Sequence, residues 1–210
     1  MLKASRILIT GTPSVGKTTI AKELAKTIEY DYIDVAKIII DEKLYKGEDR
    51  DRGSIIVDTN KARRFFSNFL SKIEKAVLDS HVVDIFPKRL ISKVIVLRAH
   101  PLLILKRGIM RGWSIKKSIE NAQAELLGVC LFDALRFYGE EKVWQVDCTC
   151  RNIDDIILDI LEILKEKDKA KKNIDWLTIL EEKNELDLLL KLEKASYLPE
   201  DFFKLLGNCR

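Results

Sequence analysis

With 210 residues, 47% of them hydrophobic and 33% charged, the chain has apolar side chains enough for one well-buried domain and too many for a disordered one. Its net charge of +4 is mildly basic and too small to argue for a nucleic-acid partner by itself. No secretory leader and no apolar run of about 18 residues stands out, so a soluble, cytoplasmic protein is expected.

The chain opens on Arg6-Ile7-Leu8-Ile9, an apolar run that reads as a buried strand, followed by Gly11-Thr12-Pro13-Ser14-Val15-Gly16-Lys17-Thr18-Thr19. Gly11, four residues, then Gly16-Lys17-Thr18 is the phosphate-loop spacing. Glycines let the backbone approach phosphate oxygens without a Cβ in the way. The loop N–H groups and the first turn of the next helix then face the anion. Lys17 would neutralise β/γ-phosphates, and the Thr18 hydroxyl is a candidate Mg²⁺ ligand. An amphipathic helix over about Lys17 to Thr27 (Ile20, Leu24, Ile28) supplies the context that the motif requires. A bound nucleoside triphosphate is expected.

Tyr30 to Val35 reads as a second strand, Ala36 to Leu44 as a helix, and Tyr45 to Gly53 as a charged surface loop ending in Ile55-Ile56-Val57-Asp58. Asn60 is placed as the N-cap of a helix with a core-facing stripe of Ala62, Phe65, Phe66, Phe69, Leu70 and Ile73. Ala76 to Leu78 reads as a short strand ending in Asp79, an acid placed to orient Mg²⁺. His81 follows where the chain leaves the sheet. Ligands of open α/β sheets bind at that edge, which favours a functional over a structural histidine.

Lys93 to Arg98 reads as the fourth sheet strand, then a helix from about Pro101. Arg107 and Arg111 stand four residues apart and share a face. With Gly112 as a hinge they suit a lid that clamps transferring phosphate; a solvated basic face explains them equally well. One long helix is expected from Ser114, its cap, to about Tyr138. The fifth strand is Lys142 to Asp147, followed by the loop Cys148-Thr149-Cys150-Arg151, placed to touch a nucleotide base, and by an Asn152-capped helix to Leu164. Beyond a charge-rich linker (165–172), residues Ile174 to Tyr197 and Phe202 to Leu206 read as helices. A lone Cys-x-Cys lacks a second pair for zinc, so Cys130, Cys148, Cys150 and Cys209 are expected to be free thiols. The fold class is α/β, a P-loop NTPase: a parallel five-stranded sheet with helices on both faces, plus a C-terminal helical extension.

Three segments occur in the order and spacing of a known family. They are Ile9 to Thr19, Asp79-Ser80-His81-x-x-Asp84-x-Phe86-Pro87, and Arg107-x-x-x-Arg111-Gly112-Trp113 with Asn121-x-Gln123-x-Glu125. Together they resemble the adenylate kinase isoenzyme six family, P-loop adenylate kinases and ATPases that act in small ribosomal subunit maturation. The resemblance covers about residues 3–164. It implies that Ser14, Gly16, Lys17, Thr18 and Thr19 bind ATP phosphates and that Arg111 touches ATP. It makes about 34–57 a nucleoside-monophosphate-binding part, with Asp34 and Asp58 as candidate contacts, and about 110–120 a lid. Asp79 would support Mg²⁺ with Thr18, His81 would position the attacking water or acceptor, and Lys17, Asp79, His81, Arg107 and Arg111 form the catalytic set. Cys150 is the candidate base contact. The implied activity is transfer of the ATP γ-phosphate to AMP or water. The implied partners are a small-subunit ribosomal platform protein and the small-subunit rRNA precursor. An ATP-gated binding module and a small-molecule or RNA kinase are the competing readings. Ser14 and Ala36 stand where the family usually has glycine, and Lys37 near a usual acid.

Overall fold

The computed structural model describes residues 5–49, 53–165 and 173–187. At its centre is β1 (Arg6–Gly11), flanked on one side by β5 (Ala76–Asp79) and β2 (Asp31–Asp34), on the other by β6 (Lys93–Arg98) and β7 (Val143–Asp147). All five strands are parallel, in the order β2-β5-β1-β6-β7. The side-chain period of two sends successive β1 residues to opposite faces. Ile7 and Ile9 pack beneath α1 (Lys17–Ile28) and α7 (Ile153–Leu164), while Leu8 packs with α2 (Val35–Asp41), α3 (Thr59–Ser71) and α6 (Val129–Tyr138). Both faces are covered, which is why β5 and β6 are apolar without alternation and buried throughout. The expected fold class is therefore borne out. No described helix is long and apolar enough to cross a membrane.

Four local expectations are corrected. Residues read as a charged loop form a hairpin of β3 (Tyr45–Asp49) and β4 (Ser54–Val57), paired antiparallel with Tyr45 opposite Val57 and Glu48 opposite Ile55. Its strands carry Lys46, Glu48 and Asp49, so charge masks the β-branched pattern. The helix α3 is capped by Asp58, whose Oδ1 accepts from the Lys61 N–H at 3.0 Å, and not by Asn60. Val35 belongs to α2 and not to the second strand, because Asp34 Oδ1 accepts from the Lys37 N–H at 3.0 Å and starts the helix there. The long helix over 114–138 is two, α5 (Ile115–Leu126) and α6. Gly128 separates them with φ of 64°, a left-handed conformation that ends a helix cheaply only at glycine.

The caps at Ser114 and Asn152 stand as expected, each accepting a backbone N–H three residues on. Helix α4 spans Pro101–Met110. Past Leu164, α8 (Trp176–Glu182) is capped by Asp175. The helical pattern read from Ile174 breaks at Asn184 (φ 57°); its continuation past 187 and the helix over Phe202 to Leu206 lie outside the described residues. Trp176 and Leu180 bury against Leu102 and Leu105 of α4 and Ile119 and Ala122 of α5.

Candidate phosphate-binding site

The C-terminal ends of β1 and β5 place the site. Between β1 and α1 the backbone must turn within five residues while passing close to β6. A Cβ on Gly11 would lie 2.4 Å from the Leu97 carbonyl oxygen, and its φ is 141°, so glycine is required twice over. Gly16 (φ 112°) is the N-cap of α1 and leaves its first-turn amides open, without a side-chain cap. Inside the loop Ser14 adopts φ 73°, left-handed for a non-glycine residue. Its hydroxyl is buried with no hydrogen-bond partner among the described residues. A buried hydroxyl left unpaired is unfavourable unless something else fills the site.

Lys17 folds back over the loop, its Nζ donating to the carbonyls of Gly11 (2.8 Å) and Thr12 (3.2 Å). Desolvation lowers its pKa, with Cys130 and Asp79 pulling the other way. Next to it the Thr18 hydroxyl donates to Asp79 Oδ2 at 2.5 Å. The parallel register, which sets Ile9 beside Asp79, brings that carboxylate to the loop. A hydroxyl and a carboxylate are hard oxygen donors that fit Mg²⁺, which commonly takes one or two protein ligands and completes its shell with water and phosphate. Among the described residues no cluster of three or more His, Cys, Asp or Glu forms a metal cage.

Two cavities are lined by residues close in sequence to this constellation. A pocket of about 270 Å³ is walled by Ser14, Val15, Gly16, Thr19, Ile20, Arg107, Arg111, Cys148, Arg151, Ile153 and Ile156. Arg107 Nη1 donates to the Val15 carbonyl at 3.2 Å, while Arg111, the C-cap of α4, is exposed over the Trp113 ring. Cys150 is not among its walls. It is disulfide-bonded, which corrects the free-thiol expectation for that residue, while Cys130 and Cys148 are free; Cys209 lies outside the described residues. The wall expected from Cys150 is made by Cys148 and Arg151.

The second cleft, of about 600 Å³, is lined by Arg63, His81, Val82, Val83, Asp84, Asp133, Arg136 and Phe137. Its floor is a tight turn after β5: Ser80 Oγ accepts from the Val82 N–H (3.1 Å) and donates to the Val82 carbonyl (2.8 Å), presenting His81 at the apex. Arg63 of α3 holds the Asp84 carboxylate at 2.5 Å, and the Tyr138 hydroxyl holds the Val83 carbonyl at 2.9 Å. His81 is exposed to water. Partial desolvation by the neighbouring protein, then the Lys17 ammonium, push its pKa down to about 4, and its exposure keeps that shift modest in effect; the imidazole is neutral at neutral pH.

The structure thus gathers Ser14, Gly16, Lys17, Thr18, Thr19, Asp79, Arg107 and Arg111 around one loop and sets His81 on its far side. Asp34 and Asp58 each use one carboxylate oxygen as a helix cap. Sequence reasoning passed over Arg63, Asp133, Arg136 and Phe137. Arg63 sits on the polar side of an amphipathic helix, where an arginine carries no signal of its own.

A family model described as "AAA domain" matches residues 7–128. A Methanocaldococcus jannaschii protein named "Putative adenylate kinase" is 38% identical over 171 residues, covering 81% of this chain and 92% of its own. A protein of the same name from Sulfurisphaera tokodaii is 33% identical over 198 residues, covering 93% of this chain and 96% of its own. Among solved structures, the shikimate kinase of Acinetobacter baumannii in complex with shikimate shares the fold, with a TM-score of 0.51 at 16% identity over 80% of this chain and 97% of that one. The adenylate-kinase part of the motif resemblance is thereby borne out: the chain belongs to the family of P-loop kinase domains that includes these archaeal adenylate-kinase relatives.

Proposed function

We propose that the chain is a Mg·ATP-dependent phosphotransferase that passes the γ-phosphoryl group to AMP, and to water when the acceptor site is empty. The observation that carries this reading is a pair of separate cavities, one lined by the loop residues Ser14, Val15 and Gly16 that directly precede Lys17 and Thr18, and one lined by His81, two residues after Asp79. A kinase needs a donor and an acceptor pocket meeting at the transferring phosphorus. The relatives' name favours AMP as the acceptor.

In this reading the triphosphate displaces Lys17 from the Gly11 and Thr12 carbonyls, and the ammonium moves onto β/γ-phosphate oxygens. Arg107 and Arg111 stand on the rim of the donor pocket and offset charge on the γ-phosphoryl as its bond to the β-bridging oxygen breaks. Thr18 and Asp79 would hold Mg²⁺, which when bound neutralises charge on those same oxygens. His81, neutral and weakly basic, accepts a hydrogen bond from an incoming water and orients it more than it deprotonates it; the phosphate oxygen of AMP, the nucleophile in the kinase reaction, needs no base. In the acceptor cleft Arg63 and Arg136 supply cationic groups for a phosphate and Phe137 a flat ring for a base. Residues 34–57 would form the monophosphate-binding part, residues 110–120 the lid, and Asp34 and Asp58 would reach the acceptor with the oxygen that does not cap a helix.

ATP turnover with and without AMP, in the wild type and His81→Ala, tests the reading. AMP-dependent ADP formation well above the water reaction is expected. Hydrolysis indifferent to AMP but lost in His81→Ala would make the chain an ATPase switch instead. The further role implied by the motif resemblance, binding a small-subunit platform protein and the rRNA precursor, is carried as a proposal; ATP-dependent pull-down with the purified platform protein tests it.

A further inference from the structure

The segment after residue 173 is tied to the phosphate loop through one buried carboxylate. Glu125, near the end of α5, is 1% exposed. Its Oε2 accepts from the Thr12 hydroxyl at 2.5 Å, inside the loop itself. Its Oε1 accepts from Arg98 Nε (2.7 Å), the Ala99 N–H (3.2 Å) and the indole Nε1–H of Trp176 (3.0 Å), the first residue of α8. Four donors on one buried carboxylate leave it fully satisfied and fixed in place. Thr12 is in turn one of the two residues whose carbonyls hold Lys17.

The same segment is also anchored apart from Glu125. Arg98 Nη1 donates to the Ile174 carbonyl at 3.4 Å, and the Trp176 indole meets the His100 ring edge-on at 5.5 Å. The phosphate pattern, read alone, leaves Glu125 and Trp176 unused. Neither lines either cavity. Yet a buried acid beside an anion-binding loop is electrostatically unfavourable unless its charge is held by donors and its position serves the loop.

We propose that Trp176 and Glu125 are positioning residues for nucleotide binding, and that the C-terminal helix completes the donor site by fixing Thr12. Without the indole N–H, Glu125 keeps three partners, its Oε1 side loosens, and the Thr12 hydroxyl loses its fixed acceptor. The loop then samples conformations in which its amides diverge and Lys17 is misplaced. Binding of a phosphate ligand bears that ordering cost. The inference rests on the loop being the ATP site.

The test is Trp176→Phe in the full-length chain, which keeps the ring and removes only the N–H, beside Leu180→Ala, which thins the packing of the same helix without touching Glu125. Two quantities are read: ATP affinity by calorimetry, and hydrogen exchange of the loop amides in nucleotide-free protein. Trp176→Phe is expected to weaken ATP roughly fivefold, less than the full worth of one hydrogen bond to a charged group because it reaches the loop only through Glu125, and to speed exchange over residues 12–17. Leu180→Ala is expected to lower the melting temperature further while leaving ATP affinity within twofold. Unchanged affinity and exchange in Trp176→Phe overturn the proposal, as do equal losses of ATP affinity in both variants, which would make α8 a structural prop only. A wild type that binds no ATP sinks the kinase reading itself; the exchange measurement then still decides whether the helix orders the loop.

Discussion

In the proposed reading, the donor pocket and the acceptor cleft are built by different means. The donor side is mostly backbone: a five-residue turn between β1 and α1 with the amides of the first helical turn, two glycines at φ values that side chains avoid, and one lysine resting on loop carbonyls. The cleft is made of side chains from three segments distant in sequence, with Arg63 from α3, His81 to Asp84 from the turn after β5, and Asp133 to Phe137 from α6. A backbone site is specified by contiguous residues and serves any molecule carrying the right phosphates. A side-chain site is specified by the fold and can discriminate between acceptors. Changes on the donor side should therefore impair turnover with every acceptor, and changes in the cleft should be acceptor-selective.

The largest expected effect is on the donor side. Lys17→Ala removes the ammonium that rests on the loop's own carbonyls and should lower kcat by about 10²–10³-fold with AMP and with water alike, the scale of losing one charge-stabilising donor. Steady-state kinetics with both acceptors check it. A loss confined to AMP would break the comparison.

In the cleft, Arg136→Ala is expected to raise KM for AMP by about tenfold, a difference near 1.4 kcal/mol, while ATP hydrolysis in the absence of AMP stays within twofold. Arg63→Ala is a less clean probe, because it also frees Asp84, which shapes the turn carrying His81. Equal losses in the AMP and water reactions of Arg136→Ala would move that arginine to the donor side.

The same contrast governs what the sequence discloses. The sheet, its parallel order and the phosphate loop are legible because each is encoded by adjacent residues: an unbroken apolar run for a strand covered on both faces, and a fixed glycine spacing for the turn. The hairpin of β3 and β4 is obscured because its strands are short and mostly exposed, so charge replaces alternation. The break at Gly128 is visible as a glycine, but the apolar stripe runs through it on both sides. Arg63, Asp133 and Arg136 are charged residues on solvent-facing helix positions, and only the fold brings them to one cleft. Glu125 is the intermediate case. It stands three residues after Ala122 and six after Ile119, on the buried face of α5, so an acid at that register marks a buried polar contact, while its partner Trp176 is fifty-one residues away.

Ser14 sharpens the comparison from within the donor side, because there strain and ligand contact sit on one residue. Its left-handed φ of 73° costs about 1 kcal/mol relative to glycine, and its buried hydroxyl has no partner among the described residues. Ser14→Gly is therefore expected to raise the free energy of unfolding by about 1 kcal/mol, seen as a higher denaturation midpoint, and to weaken ATP a few-fold as a donor to phosphate is lost. A lower midpoint with unchanged ATP affinity would show that the hydroxyl serves the fold and not the ligand.

The smallest effect expected is on the pH dependence of stability, and it belongs to the cleft. The folded chain holds His81 at a pKa of about 4, below the ordinary 6.5. Above pH 6.5 both folded and unfolded chains carry a neutral imidazole, and the contribution to stability is fully present. As pH falls from 6.5 towards 4 the unfolded chain takes up a proton that the folded one refuses, so stability is lost across that window and levels off below it. His81→Asn removes this component, and its unfolding midpoint should fall less steeply between pH 6.5 and 4 than that of the wild type. His100, buried beneath α8, is shifted in the same direction and keeps part of the slope in the variant, so a flattened but not abolished dependence is expected. Because His81 faces water on one side, the flattening should be small. A slope identical to the wild type would mean that the imidazole is as well hydrated in the folded chain as in the unfolded one, and that the cleft is already wet before an acceptor enters.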